Sequence, residues 1–200
     1  MSHNTFIHRI VRPVVRAAAP SGITPNQVTT LRLVTALASA WMFAQGGATW
    51  PNIGAAVFVV SMLLDRADGE LARQTGQSSL WGYRYDLVCD FIAGACTFVG
   101  IGFGHVAQMG PLAIGLGALA GAGIGALFWE LNVFKLVSLR AYRLGPLEAD
   151  PDDAMIFVPI LIWCGLSQPM LMAAAVITPL AAAGVALTGL MKAAKAAKSG

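Results

Sequence analysis

Four aspartates, Asp65, Asp68, Asp86 and Asp90, cluster within a chain that has only ten acidic side chains. At helical spacing, residues 65, 68, 69 and 72 share one face, and so do 82, 86 and 90. Two antiparallel helices joined by the short Gln74–Ser79 turn would bring these faces together. Four carboxylates in one partly desolvated place cannot all stay ionised without cations. The expectation is bound divalent metal, and an all-oxygen ligand set favours Mg2+ or Mn2+ over zinc. Metals held this way can bridge a diphosphate and stabilise the charge that builds on a leaving phosphate. A carboxylate not fully used by metal can accept the proton of an attacking hydroxyl. Gly69 and Gly82 let the helices pack closely or let a ligand reach the backbone. Arg73 offers a planar fork for a phosphate or a neighbouring carboxylate.

The elements that carry these residues are those of a membrane protein. Apolar residues make up 56% of the 200-residue chain and charged residues 12%, half of the roughly 25% of a soluble domain. Mean hydropathy is +0.67, and Ala-Gly runs such as 115–125 suit close helix packing in lipid. A disordered chain, a disulfide scaffold and a soluble nucleic-acid binder are excluded. The expected fold is an all-α integral membrane protein of six spans, near 27–45, 52–73, 80–104, 111–135, 154–167 and 169–191. Pro51, Gly110-Pro111 and Gln168-Pro169 mark connections. Charged groups inside a span are functional candidates by default.

Orientation follows from the basic residues. Arg9, Arg12 and Arg16 precede the first span, Lys135, Arg140 and Arg143 follow the fourth, and Lys192, Lys195 and Lys198 follow the sixth. The connections after spans one, three and five have no Lys or Arg. Both termini and the aspartate-bearing ends are therefore expected on the cytoplasmic side. Residues 4–19 place Phe6, Ile7, Ile10, Val11, Val14 and Val15 on one stripe and the arginines on the other, as in an interfacial amphipathic helix. One membrane domain covers 1–200: the interfacial basic helix within 1–22, the six-span bundle over 23–191, and a basic cytoplasmic tail over 192–200. The basic start runs into Pro20-Ser21-Gly22, so no cleavable signal is expected. Cys89, Cys96 and Cys164 lack metal-like spacing and read as buried reduced thiols.

The full string Asp65-x2-Asp68-Gly69-x2-Ala72-Arg73-x8-Gly82-x3-Asp86-x3-Asp90 resembles, at every fixed position, the signature of the CDP-alcohol phosphotransferase (CDP-alcohol phosphatidyltransferase) family. Length, six spans and the N-terminal helix are similar too. The resemblance implies that Asp65, Asp68, Asp86 and Asp90 hold a two-metal site, with Asp90 near the second metal and acting as general base. It implies that Asp68, Gly69, Ala72, Arg73 and Gly82 line the place of the donor's CMP. Thr24-Pro25-Asn26-x2-Thr29-x2-Arg32 is similar to a stretch common in the family. Asn26, Thr29 and Arg32 can share a stripe on the nucleotide side, while Thr24 and Pro25 also read as a helix N-cap and first turn. The implied reaction transfers a substituted phosphate, with CDP-diacylglycerol the leading donor, to an alcohol acceptor and releases CMP. The resemblance also implies a homodimer, for which the Gly-rich third and fourth spans could supply a face.

Lys135, Arg140 and Arg143 form the candidate anion site for the acceptor. Two departures leave the acceptor open: Phe91 follows Asp90 where phosphorylated-polyol users commonly carry a basic residue, and no basic residue lies between Asp150 and Lys192. A CDP-linked polar alcohol as donor with a lipid acceptor stays open as well. Arg66 and Glu70 are expected to face water or each other, Arg84 to point partly away from the metal face, and Glu130 to find a partner in Arg32 or Arg84. Of two other classes, an aspartate-motif membrane prenyltransferase does not explain the Gly-Ala-Arg framework, and a divalent-cation transporter would need polar groups at several depths, a path not apparent where the odd-numbered connections carry almost no charge. Nucleic acid is not an expected partner. The expected location is a prokaryotic inner membrane.

Overall fold

In a computed structural model of the chain, residues 6–134, 142–144, 147–149 and 151–199 are described, with side chains for 11–134 and 154–194. The elements are α1 (Phe6–Ala18), α2 (Pro25–Ala44), α3 (Thr49–Thr75), α4 (Leu80–Gly104), the single turn α5 (Val106–Met109) and α6 (Leu112–Asn132). A hairpin of β1 (Tyr142–Leu144) and β2 (Leu147–Ala149) follows, then α7 (Phe157–Trp163) and α8 (Ser167–Ser199).

Local chemistry sets the helix ends that matter. Thr24 caps α2 through a capping box: its hydroxyl accepts from the Gln27 amide at 3.4 Å while the Gln27 side chain accepts from the Thr24 amide at 2.9 Å. Pro25 supplies the first helical position. Gly76, at φ +67°, ends α3, a left-handed conformation that glycine adopts without steric cost. Ser79 then restarts the chain by accepting from the Gly82 amide at 3.0 Å. The turn between the two aspartate-bearing helices is thus Gly76–Ser79, shorter than expected, because α3 runs on to Thr75.

α2 lies against both α3 and α4, α4 against α6, α6 against α8, and α7 against α3. The core is built from Phe43, Phe58, Phe98, Ile101, Ile162 and Leu171 around Ala55, Ala120 and Ala175. The α4–α6 contact is backbone to backbone. A Cβ on Gly102 would stand 2.6 Å from the Ala113 carbonyl oxygen, and one on Gly117 would stand 2.6 Å from that of Phe98. Gly121 meets Ala95 O at 2.7 Å in the same way, and Gly100 abuts Ala40 O of α2. These glycines are used in helix contacts within the chain. Buried hydroxyls tie the helices further: Ser39 donates to Gly54 O at 2.8 Å, Ser61 to Arg32 O at 3.0 Å, and Thr178 to Ala120 O at 3.1 Å.

Five of the six expected spans coincide with long helices. Among the described residues, three helical stretches are long and apolar enough to cross a membrane: Leu80–Gly104, Leu112–Asn132 and Ser167–Ala194. α3 has the length, but Asp65, Arg66, Asp68, Glu70 and Arg73 crowd its second half. The fifth expected span is a 3-10 turn (Pro151–Ile156) leading into the seven residues of α7.

Apart from one short hairpin, in which β1 and β2 pair antiparallel with Arg143 opposite Glu148, the described residues are helical, in keeping with the all-α expectation. Two expectations need correction. The α1 stripe divides: Val11 and Val15 are buried with Leu71 of α3, whereas Val14 is 68% exposed. Cys164, at the end of α7, is exposed, while Cys89 is buried.

Candidate active site

The two aspartate faces do meet. Asp65, Asp68, Gly69, Ala72 and Arg73 of α3 and Gly82, Asp86 and Asp90 of α4 line one cavity of about 490 Å3, with Pro25, Asn26, Thr29 and Arg32 of α2 closing its third side. One end is polar, with Gln77, Ser78 and Ser79 of the turn beside Asn26 and Gly82. The opposite flank is apolar, formed by Phe58, Met62, Ile124, Leu127, Phe128 and Met155. Gly82 gives a close approach where α4 meets α2: a Cβ there would lie 3.0 Å from Asn26 Oδ1.

Within the cavity Asp65, Asp86 and Asp90 converge, each offering a carboxylate oxygen within 4.8 Å of the other two. Arg32 stands among them, 4% exposed. Its Nη1 donates to Asp86 Oδ1 at 2.7 Å and lies 2.9 Å from Asp65 Oδ1, and its Nη2 donates to Asp90. The single arginine of α2 thus answers the repulsion of three carboxylates.

Asp68 stands differently. It is 5% exposed, its Oδ2 accepts from the Thr29 hydroxyl at 2.6 Å, and its Oδ1 accepts from the Gly69 amide at 2.6 Å. Asp68 lines the cavity beside the three-carboxylate group rather than within it. Asn26, Thr29 and Arg32 share the inward stripe as expected, and Thr24 caps the same helix, so the capping and site readings of this segment hold together.

The donor chemistry fits a hard divalent cation. Three half-buried carboxylates from two helices present only oxygen at one point, the ligand set preferred by Mg2+ and Mn2+.

Some residues take places other than those expected. Arg66 and Glu70 are both buried, at 9% and 7% exposure, and do not face water. Arg66 Nε lies 3.7 Å from Asp65 Oδ2. Glu70 binds Arg73 at 2.8 Å, Gln74 at 2.9 Å and Arg12 of α1 at 3.4 Å. The spacing of Glu70 to Arg73 at i, i+3 was a readable signal for the first of these pairs. Arg84 is exposed, as expected. Glu130 does not pair with Arg32, whose donors are committed to the aspartates; its Oε2 is buried and without a hydrogen-bond partner among the described residues. Lys135 and Arg140 lie outside the described residues, as does the side chain of Arg143 in β1.

The family model of the CDP-alcohol phosphatidyltransferases matches residues 22–183. The phosphatidylinositol phosphate synthase of Mycolicibacterium smegmatis is 32% identical over 93 residues, 46% of this chain and 41% of that protein. The archaetidylinositol phosphate synthase of Pyrococcus horikoshii is 36% identical over 94 residues, 46% of this chain and 48% of that protein. The matched stretch therefore spans less than half the length of either relative. Two crystal structures of Mycobacterium tuberculosis phosphatidylinositol phosphate synthase share the fold. The one with CDP-DAG bound has a TM-score of 0.64 at 21% identity, covering 92% of this chain and 91% of that one. The one in complex with manganese and citrate has a TM-score of 0.62 at 20% identity, covering 90% and 86%.

Proposed function

The chain belongs to the CDP-alcohol phosphatidyltransferase family, and on that premise we propose that it transfers a phosphatidyl group from CDP-diacylglycerol to the hydroxyl of an alcohol acceptor and releases CMP. The observation that carries this reading is the single cavity in which the signature carboxylates, Arg32 and the Asn26–Gly82 crossing face one another, polar at one end and apolar along one flank. A diphosphate joining a nucleotide to a lipid has that same division. Family membership sets aside the prenyltransferase and transporter readings.

Asp65, Asp86 and Asp90 would hold the metal, with Asp68 completing a two-metal site. When bound, Mg2+ or Mn2+ supplies charge for the diphosphate and for the leaving phosphate. The chain's own groups do the rest. Asp68, Gly69, Ala72, Arg73 and Gly82, with Asn26, Thr29 and Arg32, receive the CMP portion, and Arg73 offers N–H donors to phosphate oxygens. Asp90 accepts the proton of the acceptor hydroxyl as its oxygen bonds to the lipid-bearing phosphorus. The bond from that phosphorus to the bridging oxygen breaks, and CMP carries the electron pair away. The apolar flank excludes water, which would otherwise compete as acceptor.

The membrane reading is six crossings with both termini and the site cytoplasmic, in a prokaryotic inner membrane. Besides the Lys and Arg distribution, the tryptophans support it. Trp41, Trp50 and Trp163 sit at one end of the bundle and Trp81 and Trp129 at the other, all exposed, as in interfacial belts. α1 would lie along the cytoplasmic interface, 23–191 would form the catalytic bundle, and 192–200 would be a basic tail. A homodimer belongs to the same reading.

For the acceptor, the names of the relatives favour an inositol phosphate, held by Lys135, Arg140 and Arg143. The test is CMP release from purified protein with Mn2+ or Mg2+, offering CDP-diacylglycerol with inositol 1-phosphate, glycerol 3-phosphate, inositol and serine in turn. Release with one acceptor, lost on chelation and in Asp90→Asn, supports the reaction and names the substrate. No release with any of them, but release from a CDP-linked polar alcohol with diacylglycerol, would reverse donor and acceptor.

A further inference from the structure

Glu70 lies at a variable position of the signature, yet among the described residues it is the most heavily engaged acid outside the aspartate cluster. It is 7% exposed. Its Oε2 accepts from Arg73 Nη2 at 2.8 Å, and its Oε1 accepts from Gln74 Nε2 at 2.9 Å and lies 3.4 Å from Arg12 Nε. The other arm of the Arg73 fork points elsewhere: Nη1 lies over Gly69, 3.5 Å from where a Cβ would be. Both Gly69 and Arg73 line the cavity. One nitrogen of the guanidinium is therefore tethered behind, and the other is presented in front, above a residue without a side chain.

The third partner of Glu70 comes from α1. That helix is fixed on α3 by Val11 and Val15 packed against Leu71, with Val28, Leu63 and Ala67 around them. Arg12 follows Val11 directly and so reaches Glu70 from a docked surface. A planar fork loses little freedom per bond once one arm is held, so tethering Nη2 pre-orients Nη1. A buried carboxylate shared by two arginines is also a stiffer tether than one held by a single exposed partner.

We infer that Glu70 is a positioning residue that holds Arg73 toward the donor's phosphates, and that α1 takes part in nucleotide binding through Arg12. The inference rests on the reading of the cavity as a CDP site.

The test uses the full chain in detergent micelles, with CDP and Mn2+ as the calorimetric probe and steady-state kinetics beside it. Glu70→Gln should weaken CDP binding and raise KM for CDP-diacylglycerol by ~10-fold, the effect of one lost charge-assisted bond, while kcat stays within about threefold. Arg12→Gln, at the exposed edge, should weaken binding by ~3-fold and add nothing to Glu70→Gln. Glu70→Gln should likewise add nothing in an Arg73→Gln background. Unchanged CDP binding in Glu70→Gln would overturn the inference and leave the proposed reaction standing. So would equal losses with and without Arg73, the mark of a merely structural residue. Wild-type protein that binds no CDP would overturn the proposed reaction itself, and the inference with it.

Discussion

Replacing Arg32 with methionine removes the guanidinium that faces Asp65, Asp86 and Asp90 while keeping an apolar stem in place of the arginine methylenes. Breaking a buried ion pair from one side costs about 3–5 kcal/mol. The aspartates keep between 23% and 35% of their side-chain surface exposed, so water softens the repulsion and the lower end, about 3 kcal/mol, is the expected loss. For a chain of this size that corresponds to a fall in Tm of about 6–12 °C in chelator. A ligand at one hundred times its Kd returns about 2.7 kcal/mol, so Mn2+ should restore most of the loss in Arg32→Met. Its effect on the wild type should be smaller, because there the carboxylates already have a cation. The assay is thermal unfolding of purified protein in detergent, with EDTA and across a Mn2+ titration. An Arg32→Met variant as stable as wild type in EDTA would refute the view that Arg32 neutralises the cluster. A variant that is destabilised but does not respond to Mn2+ would refute the assignment of those carboxylates to metal.

Asp90→Asn should lower kcat by about 10^2–10^4 while CDP binding persists; retained turnover would remove Asp90 as the base. Gly117→Ala puts a methyl group 2.6 Å from Phe98 O and should cost about 1–3 kcal/mol, whereas Gly115→Ala, facing open space, should be neutral or stabilise by up to about 1 kcal/mol; thermal unfolding of the pair compares them, and equal effects would contradict the backbone contact. Cys164 should react with a membrane-impermeant maleimide applied from the outer side of intact spheroplasts, and Cys89 should not. Labelling of Cys164 only after lysis would reverse the proposed orientation.

The carboxylates were legible in the sequence because helical periodicity alone assigns residues three and four apart to one face, and a short turn forces two such faces together. Thr29 and Arg32 were legible for the same reason. What periodicity does not carry is which carboxylate meets which neighbour. Asp68 and Asp65 share a face, but only Asp68 has Thr29 within reach and takes the Gly69 amide. Glu70 was harder, since its partner on α1 is 58 positions away and the pairing depends on how an amphipathic helix docks. An apolar stripe on α1 fits lipid and fits α3 equally well, and the split between Val11 and Val14 is decided only by packing. The fifth span was the least legible, because its apolar stretch is short and the chain enters it through a 3-10 segment that begins at Pro151.

On the proposed reading, the length of α3 would set the depth at which the reaction takes place. At about 1.5 Å per residue, Asp65 and Asp68 lie roughly 22 and 27 Å along the helix from Trp50. The hydrocarbon layer is about 30 Å thick. Were Trp50 anchored at the far interface, as the proposed crossings require, these carboxylates would stand just beneath the near surface, below the level of the lipid headgroups. A diacylglycerol-linked substrate would then not have to be lifted out of the bilayer; its chains would remain among their neighbours while the diphosphate dipped inward beside α3 and α4. A water-soluble partner would make the longer journey, descending past the Gly76–Ser79 turn and Asn26. The proposed division of labour between the two substrates would thus be one of direction, with the lipid arriving sideways and the alcohol from above.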